Sequence, residues 1–440
     1  MTSVVGILNK RGIALAADSS VTRELNKDEK NRLTKYIKNG NKMVRLSNAV
    51  PVTVMFTGNA EFLGIPWDVI VRRYRQKRGD VAHATVEDAM NDFFSFISQN
   101  PVFWNQDYAN GLMRNLVDVI FKRILANMSN ENERSDLEEM VRPTAFKKTF
   151  IGNANKLKLQ AAGYDKCPQY ADYSIESFRR SIEDLVDLFF EDRTIDDNFN
   201  YVYERYPKEV IDKIRPVFED ALFAVISSGC LSRYLNANLS AELIFSGFGA
   251  DQEYPSLIPA RVCEGYDFHV NYFYREDDII CISDERPVAI CPFAQVDVTK
   301  SILRGIHGKW SEYVKERADE VLDPFSGCIL SPGDDDMPDA LMPILLSVKT
   351  DDLQKKFFQD GMKMLNKNQR EWERALKDYD LEEMAALADS LIDLTGFHKI
   401  LTFSQEEVGG MVDLAVISKV DGFTWLRRKN WYYKDNGMSI

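Results

Sequence analysis

Four residues near the start of the chain combine into a hydrolytic chemistry. Thr2 follows Met1 directly, and aminopeptidases remove an initiator methionine when the next side chain is small. Removal leaves Thr2 with a free α-amine beside its own hydroxyl, which is a nucleophile that carries its own base. On its own the small second residue reads as one that serves efficient methionine removal, and the residues around it are what favour chemistry. Asp18 closes the apolar run Ile13–Ala17, and Lys42 opens a further apolar run. An α-amine titrates at about 7.7–8.0 when unperturbed, so an ammonium nearby is enough to hold it neutral and lower the hydroxyl pKa. A lysine with a carboxylate partner supplies that cation. Gly58, where a strand gives way to the next element, offers an unhindered backbone N–H to a developing oxyanion.

The elements that must position these groups are legible as short periodic runs. Ser3–Leu8 and Ile13–Ala17 read as strands joined by a turn at Asn9–Gly12. A polar, Lys-rich stretch over Arg23–Asn41 leads to a second pair, Lys42–Leu46 and Val52–Thr57. Thr57-Gly58-Asn59 then ends the strand and opens a helix through about Arg78, with another helix near Val86–Ile97. From 101 to 235 the pattern is helical, as in Leu112–Met128, Ser174–Phe190 and Lys208–Ile226. Strands return at Ala241–Phe245, Ile258–Cys263, His269–Tyr274 and Asp278–Ile282. Helical patterns run from about Gln295 to Leu394, broken by the loop at 331–336, and Val412–Ser418 and Phe423–Arg428 close the chain as strands. Strands, helices, strands, helices, strands is an order that favours sheets covered by helices over a doubly wound parallel sheet.

Composition narrows the function classes. A net charge of −13 over 440 residues argues against general nucleic-acid or anionic-membrane binding. The first residues lack the pattern of a signal peptide, and no apolar run approaches the length that spans a bilayer. Six scattered cysteines without a CxxC pair read as reduced, mostly buried thiols of a cytoplasmic protein. Four widely separated histidines disfavour a histidine-rich metal site.

The segment Met1–Asp18, with Ala16-Ala17-Asp18-Ser19, Lys42 and Gly58, resembles the start of a proteasome β-subunit and of its bacterial relatives, the HslV-type peptidases and the ancestral β-subunits. The likeness covers about residues 2–65. Phe245-Ser-Gly-Phe-Gly249 resembles the family's middle hairpin, and Gly409-Gly410-Met-Val-Asp-Leu-Ala-Val-Ile417 with Asp421-Gly422 resembles its closing strands. The resemblance implies an α+β fold, the four-layer αββα sandwich of N-terminal nucleophile hydrolases. Its core would comprise 2–100, 236–310 and 380–440, with helical insertions at 101–235 and 311–379.

The same resemblance implies that Thr2 is nucleophile and base, that Asp18 orients the lysine, that Lys42 tunes the pKa and that Gly58 donates to the oxyanion. Thr22 and Ala60 fall where the family pairs its backbone with an extended peptide, and Val21, Val44 and Phe56 fall where it shapes an apolar specificity pocket. The implied activity is that of a threonine endopeptidase without metal or organic cofactor. The implied partners are a peptide or unfolded-protein substrate, further copies of the chain in a homo-oligomer, and an ATP-dependent unfoldase, with no nucleic acid and no membrane. Two departures stand out. An insertion stretches the spacing before Lys42, and Gln405-Glu406-Glu407-Val408 replaces the usual Asp-x-x-Ser, leaving Glu406 as either a substitute aspartate or a solvated loop carboxylate.

Other motifs have simpler readings. Gly247-Phe-Gly249 is half of a dinucleotide fingerprint, but Gln252 and Pro255 follow and a turn is the expectation. Asp334-Asp335-Asp336 reads as a helix cap, and Arg72–Arg78 as a solvated or subunit-facing helix surface rather than a phosphate site. Two alternatives to the peptidase stay open: a catalytically inactive structural or interaction subunit of the same fold, and a small-molecule amidase.

Overall fold

The computed structural model describes residues 3–19, 21–24, 34–37, 40–130, 143–191, 208–235, 239–294, 296–305, 313, 370–401 and 411–429. The protein is a mixed α+β chain with antiparallel sheets. In chain order the strands are β1 (Ser3–Asn9), β2 (Gly12–Asp18), β3 (Val21–Glu24), β4 (Thr34–Ile37), β5 (Met43–Arg45), β6 (Val52–Gly58), β7 (Glu61–Phe62) and β8 (Ile65–Pro66). They continue as β9 (Ala241–Gly247), β10 (Ser256–Tyr266), β11 (His269–Phe273), β12 (Ile280–Cys281), β13 (Val288–Ala294), β14 (Val412–Ser418) and β15 (Gly422–Arg427). The helices are α1 (Trp67–Arg78), α2 (Val86–Gln99), α3 (Gln106–Asn130), α4 (Pro143–Ala162), α5 (Ile175–Glu191), α6 (Lys208–Ile226), α7 (Val296–Arg304) and α8 (Leu381–Leu401). The chain divides into two compact units, one comprising Met1–Gly40 with Ile282–Ile440, the other Asn41–Cys281.

The first unit is built on a five-stranded sheet in the order β13-β1-β2-β14-β15. Side chains alternate across a strand, which sends Val5, Ile7, Ala14, Ala16, Val412, Leu414 and Val416 to one face. There they pack on Met384, Ala385, Ala388, Leu391 and Ile392 of α8. A reciprocal capping box starts that helix: the Glu383 N–H donates to Asp380 Oδ1 at 2.8 Å and the Asp380 N–H to Glu383 Oε2 at 2.9 Å. β13 falls in a stretch without a strand expectation. It pairs antiparallel with β1 along seven residues, Ser3 opposite Ala294 through Asn9 opposite Val288.

The second unit carries a sheet in the order β11-β10-β9-β6-β5, with β12 also paired to β10. Val52, Val54 and Phe56 of β6 and Leu243 and Phe245 of β9 pack into one apolar cluster with α1 and α2. The cluster continues through α3 to α6, where Phe121, Phe150, Phe178 and Phe218 are buried. Thr85 and Asp88 cap α2 reciprocally. β9 and β10 are antiparallel neighbours, so Gly247-Phe-Gly249 lies between paired strands, as the turn reading expects.

Two local expectations are corrected. The helix expected from Asn59 begins at Trp67. Leu63 (φ 47°) and Gly64 (φ 82°) adopt left-handed backbone that no α-helix accommodates, and the small β7–β8 hairpin occupies the interval, with Pro66 as the helix N-cap. The polar stretch 23–41 contains part of a hairpin, with Val21–Glu24 paired to Thr34–Ile37. Its Lys- and Asn-rich composition masks the alternation by which a strand is recognised. The loop at 331–336, Glu406 with its neighbours 402–410, Cys328, and most of the stretch 311–379 lie outside the described residues. Of the five described cysteines Cys167, Cys230, Cys263 and Cys291 are buried and Cys281 is exposed. Among the described residues no helix is long and apolar enough to cross a membrane.

Candidate active site

In the first unit the expected orienting carboxylate is buried at the end of a central strand. Asp18 is the last residue of β2 and only 1% exposed. Its Oδ1 accepts a hydrogen bond from the Ser3 N–H at 2.8 Å, so the carboxylate holds the first residue of β1. Thr2, the preceding residue in the chain, lies outside the described residues. Val21 and Thr22 belong to β3, opposite Ile37 and Tyr36 of β4.

A second carboxylate sits on the neighbouring strand. Val412 is the register partner of Asp18, and the next residue, Asp413, is 2% exposed. Its Oδ2 lies 3.0 Å from Lys429 Nζ, with both side chains at most 3% exposed, and its Oδ1 accepts from the Lys429 N–H at 2.9 Å. Lys429 Nζ also donates to the Gly40 carbonyl, and the Gly40 N–H donates to the Ser19 carbonyl at 2.9 Å. The exit of β2, the Gly40 peptide and the start of β14 are thus tied into one network. Burying an ion pair is costly unless its remaining hydrogen-bonding capacity is met, and here the second carboxylate oxygen accepts from the Lys429 N–H and the ammonium also donates to the Gly40 carbonyl.

In the second unit Lys42 precedes β5 and is 3% exposed. Its carbonyl accepts from the Phe56 N–H at 3.0 Å, which places it across from β6 two residues ahead of Gly58. Gly58 ends β6 as that strand's one exposed residue. Its φ of 78° lies in the left-handed region, and a Cβ there would meet the Ser240 carbonyl oxygen at 2.5 Å. Glycine is required on both counts. Val44 packs against the apolar cluster and Phe56 is 6% exposed within it.

The loop after Gly58 is held at nearly every residue. The Asn59 N–H donates to the Ser240 carbonyl at 2.9 Å, and the Ala60 carbonyl accepts from the Trp67 N–H at 3.1 Å. The Asn59 carbonyl accepts from Trp67 Nε1 at 3.1 Å, and Asn59 Oδ1 from the Glu61 N–H at 3.3 Å. A carbonyl oxygen has two lone pairs, so Ala60 retains acceptor capacity for an added strand. Glu264, 2% exposed on β10, closes the loop from below: Oε2 accepts from the Leu63 N–H at 2.7 Å and Oε1 from Asn59 Nδ2 at 3.1 Å. Burial, with the charges of Glu264 and Glu61 adding to it, pushes the Tyr108 hydroxyl up to about 12.

The expected site residues therefore fall into two groups: Asp18 with β3 in the first unit, and Lys42, Val44, Phe56, Gly58 and Ala60 in the second. Asp413, Lys429 and Glu264 are additions that the sequence reading does not single out. The available signal is a lone carboxylate inside a largely apolar strand, Asp413 in Val412–Ser418 and Glu264 in Ser256–Tyr266, because such residues are almost never fully buried unless paired. Among the described residues no group of His, Cys, Asp and Glu is placed to hold a metal ion. No family model, curated protein or solved structure matches this chain.

Proposed function

We propose that this chain is a proteasome-like threonine peptidase of the N-terminal nucleophile class, built as a four-layer αββα sandwich with helical insertions at 101–235 and 311–379. In this reading Thr2 bears a free α-amine. Its Oγ attacks the peptide carbonyl while the amine takes the hydroxyl proton, the carbonyl oxygen develops negative charge opposite the Gly58 N–H, and the amine returns the proton to the leaving nitrogen. Water, deprotonated by the same amine, then cleaves the acyl-enzyme. Lys42 holds the amine neutral and lowers the hydroxyl pKa, and Asp18 orients Lys42. Thr22 and Ala60 pair with the extended substrate, while Val21, Val44 and Phe56 select an apolar side chain.

The observation that carries the reading is the buried Asp18 carboxylate gripping the Ser3 N–H. It fixes the head of β1 at the residue that follows the nucleophile, and an N-terminal nucleophile needs that anchoring because its own amine must stay free for chemistry. The exposed, left-handed Gly58 adds support, since its lack of a side chain leaves backbone within reach of a substrate.

Intact mass and peptide hydrolysis measured together test the proposal. The expected protein lacks Met1 and hydrolyses peptides, and Thr2→Ala, which keeps the small second residue, loses at least about a thousandfold in kcat. Met1 retained on the active protein, or full hydrolysis by Thr2→Ala, contradicts the mechanism. A processed wild type with no hydrolysis favours the inactive subunit, and cleavage of small amides alone favours the amidase.

A further inference from the structure

We infer that Glu264 is a positioning residue for the oxyanion loop, holding Gly58–Leu63 in the geometry that presents the Gly58 backbone; this role rests on the peptidase reading above. Glu264 has φ 53° at the irregularity where β10 pairs with β11, between Val262 and Gly265. A bulge favours glycine or asparagine in left-handed backbone, and a glutamate there is uncommon. Backbone need alone therefore leaves the side chain unexplained.

The side chain has its own use. It is a carboxylate at 2% exposure, and burying one is unfavourable unless its lone pairs are met by donors. Two donors come from a single loop: the Leu63 N–H at 2.7 Å and Asn59 Nδ2 at 3.1 Å. Asn59 is the residue after Gly58, and its own N–H is fixed on the Ser240 carbonyl, the group that makes Gly58 obligatory. Leu63 is itself left-handed at φ 47°. The carboxylate thus spans both ends of a loop whose backbone departs from the extended strand at Gly58 and again at Leu63. An acceptor with two oxygens joined to one rigid carbon sets the distance between those ends, which a single hydrogen bond does not.

The polarity of the contacts gives a test that separates positioning from folding. Glu264→Gln presents an NH2 group to a donor and breaks one contact. Adding Asn59→Asp exchanges the amide and the carboxylate across the pair. The oxygen of the introduced amide then accepts from the Leu63 N–H, and its NH2 donates to one oxygen of the introduced carboxylate. The other carboxylate oxygen accepts from the Glu61 N–H. Glu264→Gly relaxes the left-handed backbone but deletes the clamp.

The expected result is a fall in kcat of about 100-fold for Glu264→Gln, the scale of a misplacement near 1 Å, with KM within about threefold. Glu264→Gly stays folded with similarly low kcat, and Asn59→Asp/Glu264→Gln recovers kcat at least about tenfold over the single variant. Unchanged kcat in Glu264→Gln and Glu264→Gly, or a fall that only tracks the unfolded fraction, overturns the role. So does a double variant that regains thermal stability without regaining kcat. The wild type is assayed alongside for acylation of Thr2 by a peptide electrophile. Acylated wild type with indifferent Glu264 variants overturns the positioning role alone, whereas wild type neither acylated nor active overturns the peptidase reading and this role with it.

Discussion

Two buried carboxylates, one in each unit, are satisfied in opposite ways. Asp413 faces an ammonium, Lys429 Nζ at 3.0 Å, and the pair joins the Gly40 peptide to the start of β14. Glu264 accepts from an amide side chain and a backbone N–H of the 59–63 loop. The difference matters for what each contact can do. An ion pair loses much when one partner goes, because the other charge is left buried, yet replacement of both by apolar groups is often neutral. A carboxylate on neutral donors loses less when neutralised, but the geometry of its donors changes at once. The first arrangement suits a fixed joint and the second suits the close placement of a loop.

The largest expected effect comes from breaking the joint. Lys429→Met leaves Asp413 buried without its ammonium and should destabilise the first unit by about 3–5 kcal/mol, read as a shift in chemical unfolding. Asp413→Leu combined with Lys429→Met should regain most of that loss. A single variant costing under about 1 kcal/mol, or a double variant worse than the single, would erase the contrast. Next in size is Glu264→Gln, with a loss of about 1–3 kcal/mol for a mismatched buried contact. A loss as large as that of Lys429→Met would show that the two sites behave alike.

The smallest effects are read through thiols. Burial pushes Cys291 of the first unit up to about 12. Cys263 of the second is also pushed up to about 12, by burial first and by the Glu264 charge second. Both raised values keep these two thiols protonated and slow to label at about pH 8. Lys429→Met should speed labelling of Cys291 by a few-fold, and Glu264→Gln that of Cys263. Equal acceleration of both thiols in either variant would mean that the disturbances are not confined to their own units.

How far the sequence foretells this depends on how local each signal is. β1, β2, β6 and β9 are long apolar runs bounded by Gly or Asn, and their ends fall within about two residues of expectation because turn chemistry is local. α6 has the expected bounds, Lys208–Ile226, for the same reason. β13 escapes the reading because its partner β1 lies far away in the chain and nothing within Val288–Ala294 announces the pairing. The late start of α1 follows from left-handed Leu63, whose N–H is held by Glu264 from 201 residues away. Asp18 and the glycine at position 58 are legible as residues. The network around Asp413 and the clamp around Glu264 are not, because both depend on neighbours distant in the chain.

Thr2 as the nucleophile is tested by covalent trapping. The purified protein is treated with a peptide ketone electrophile that reacts with a hydroxyl and an adjacent amine together, then digested and mapped by mass spectrometry. One adduct is expected, on Thr2 of a chain lacking Met1, absent from Thr2→Ala and reduced in Glu264→Gln. An adduct on another residue, or none on a processed and folded protein, contradicts it.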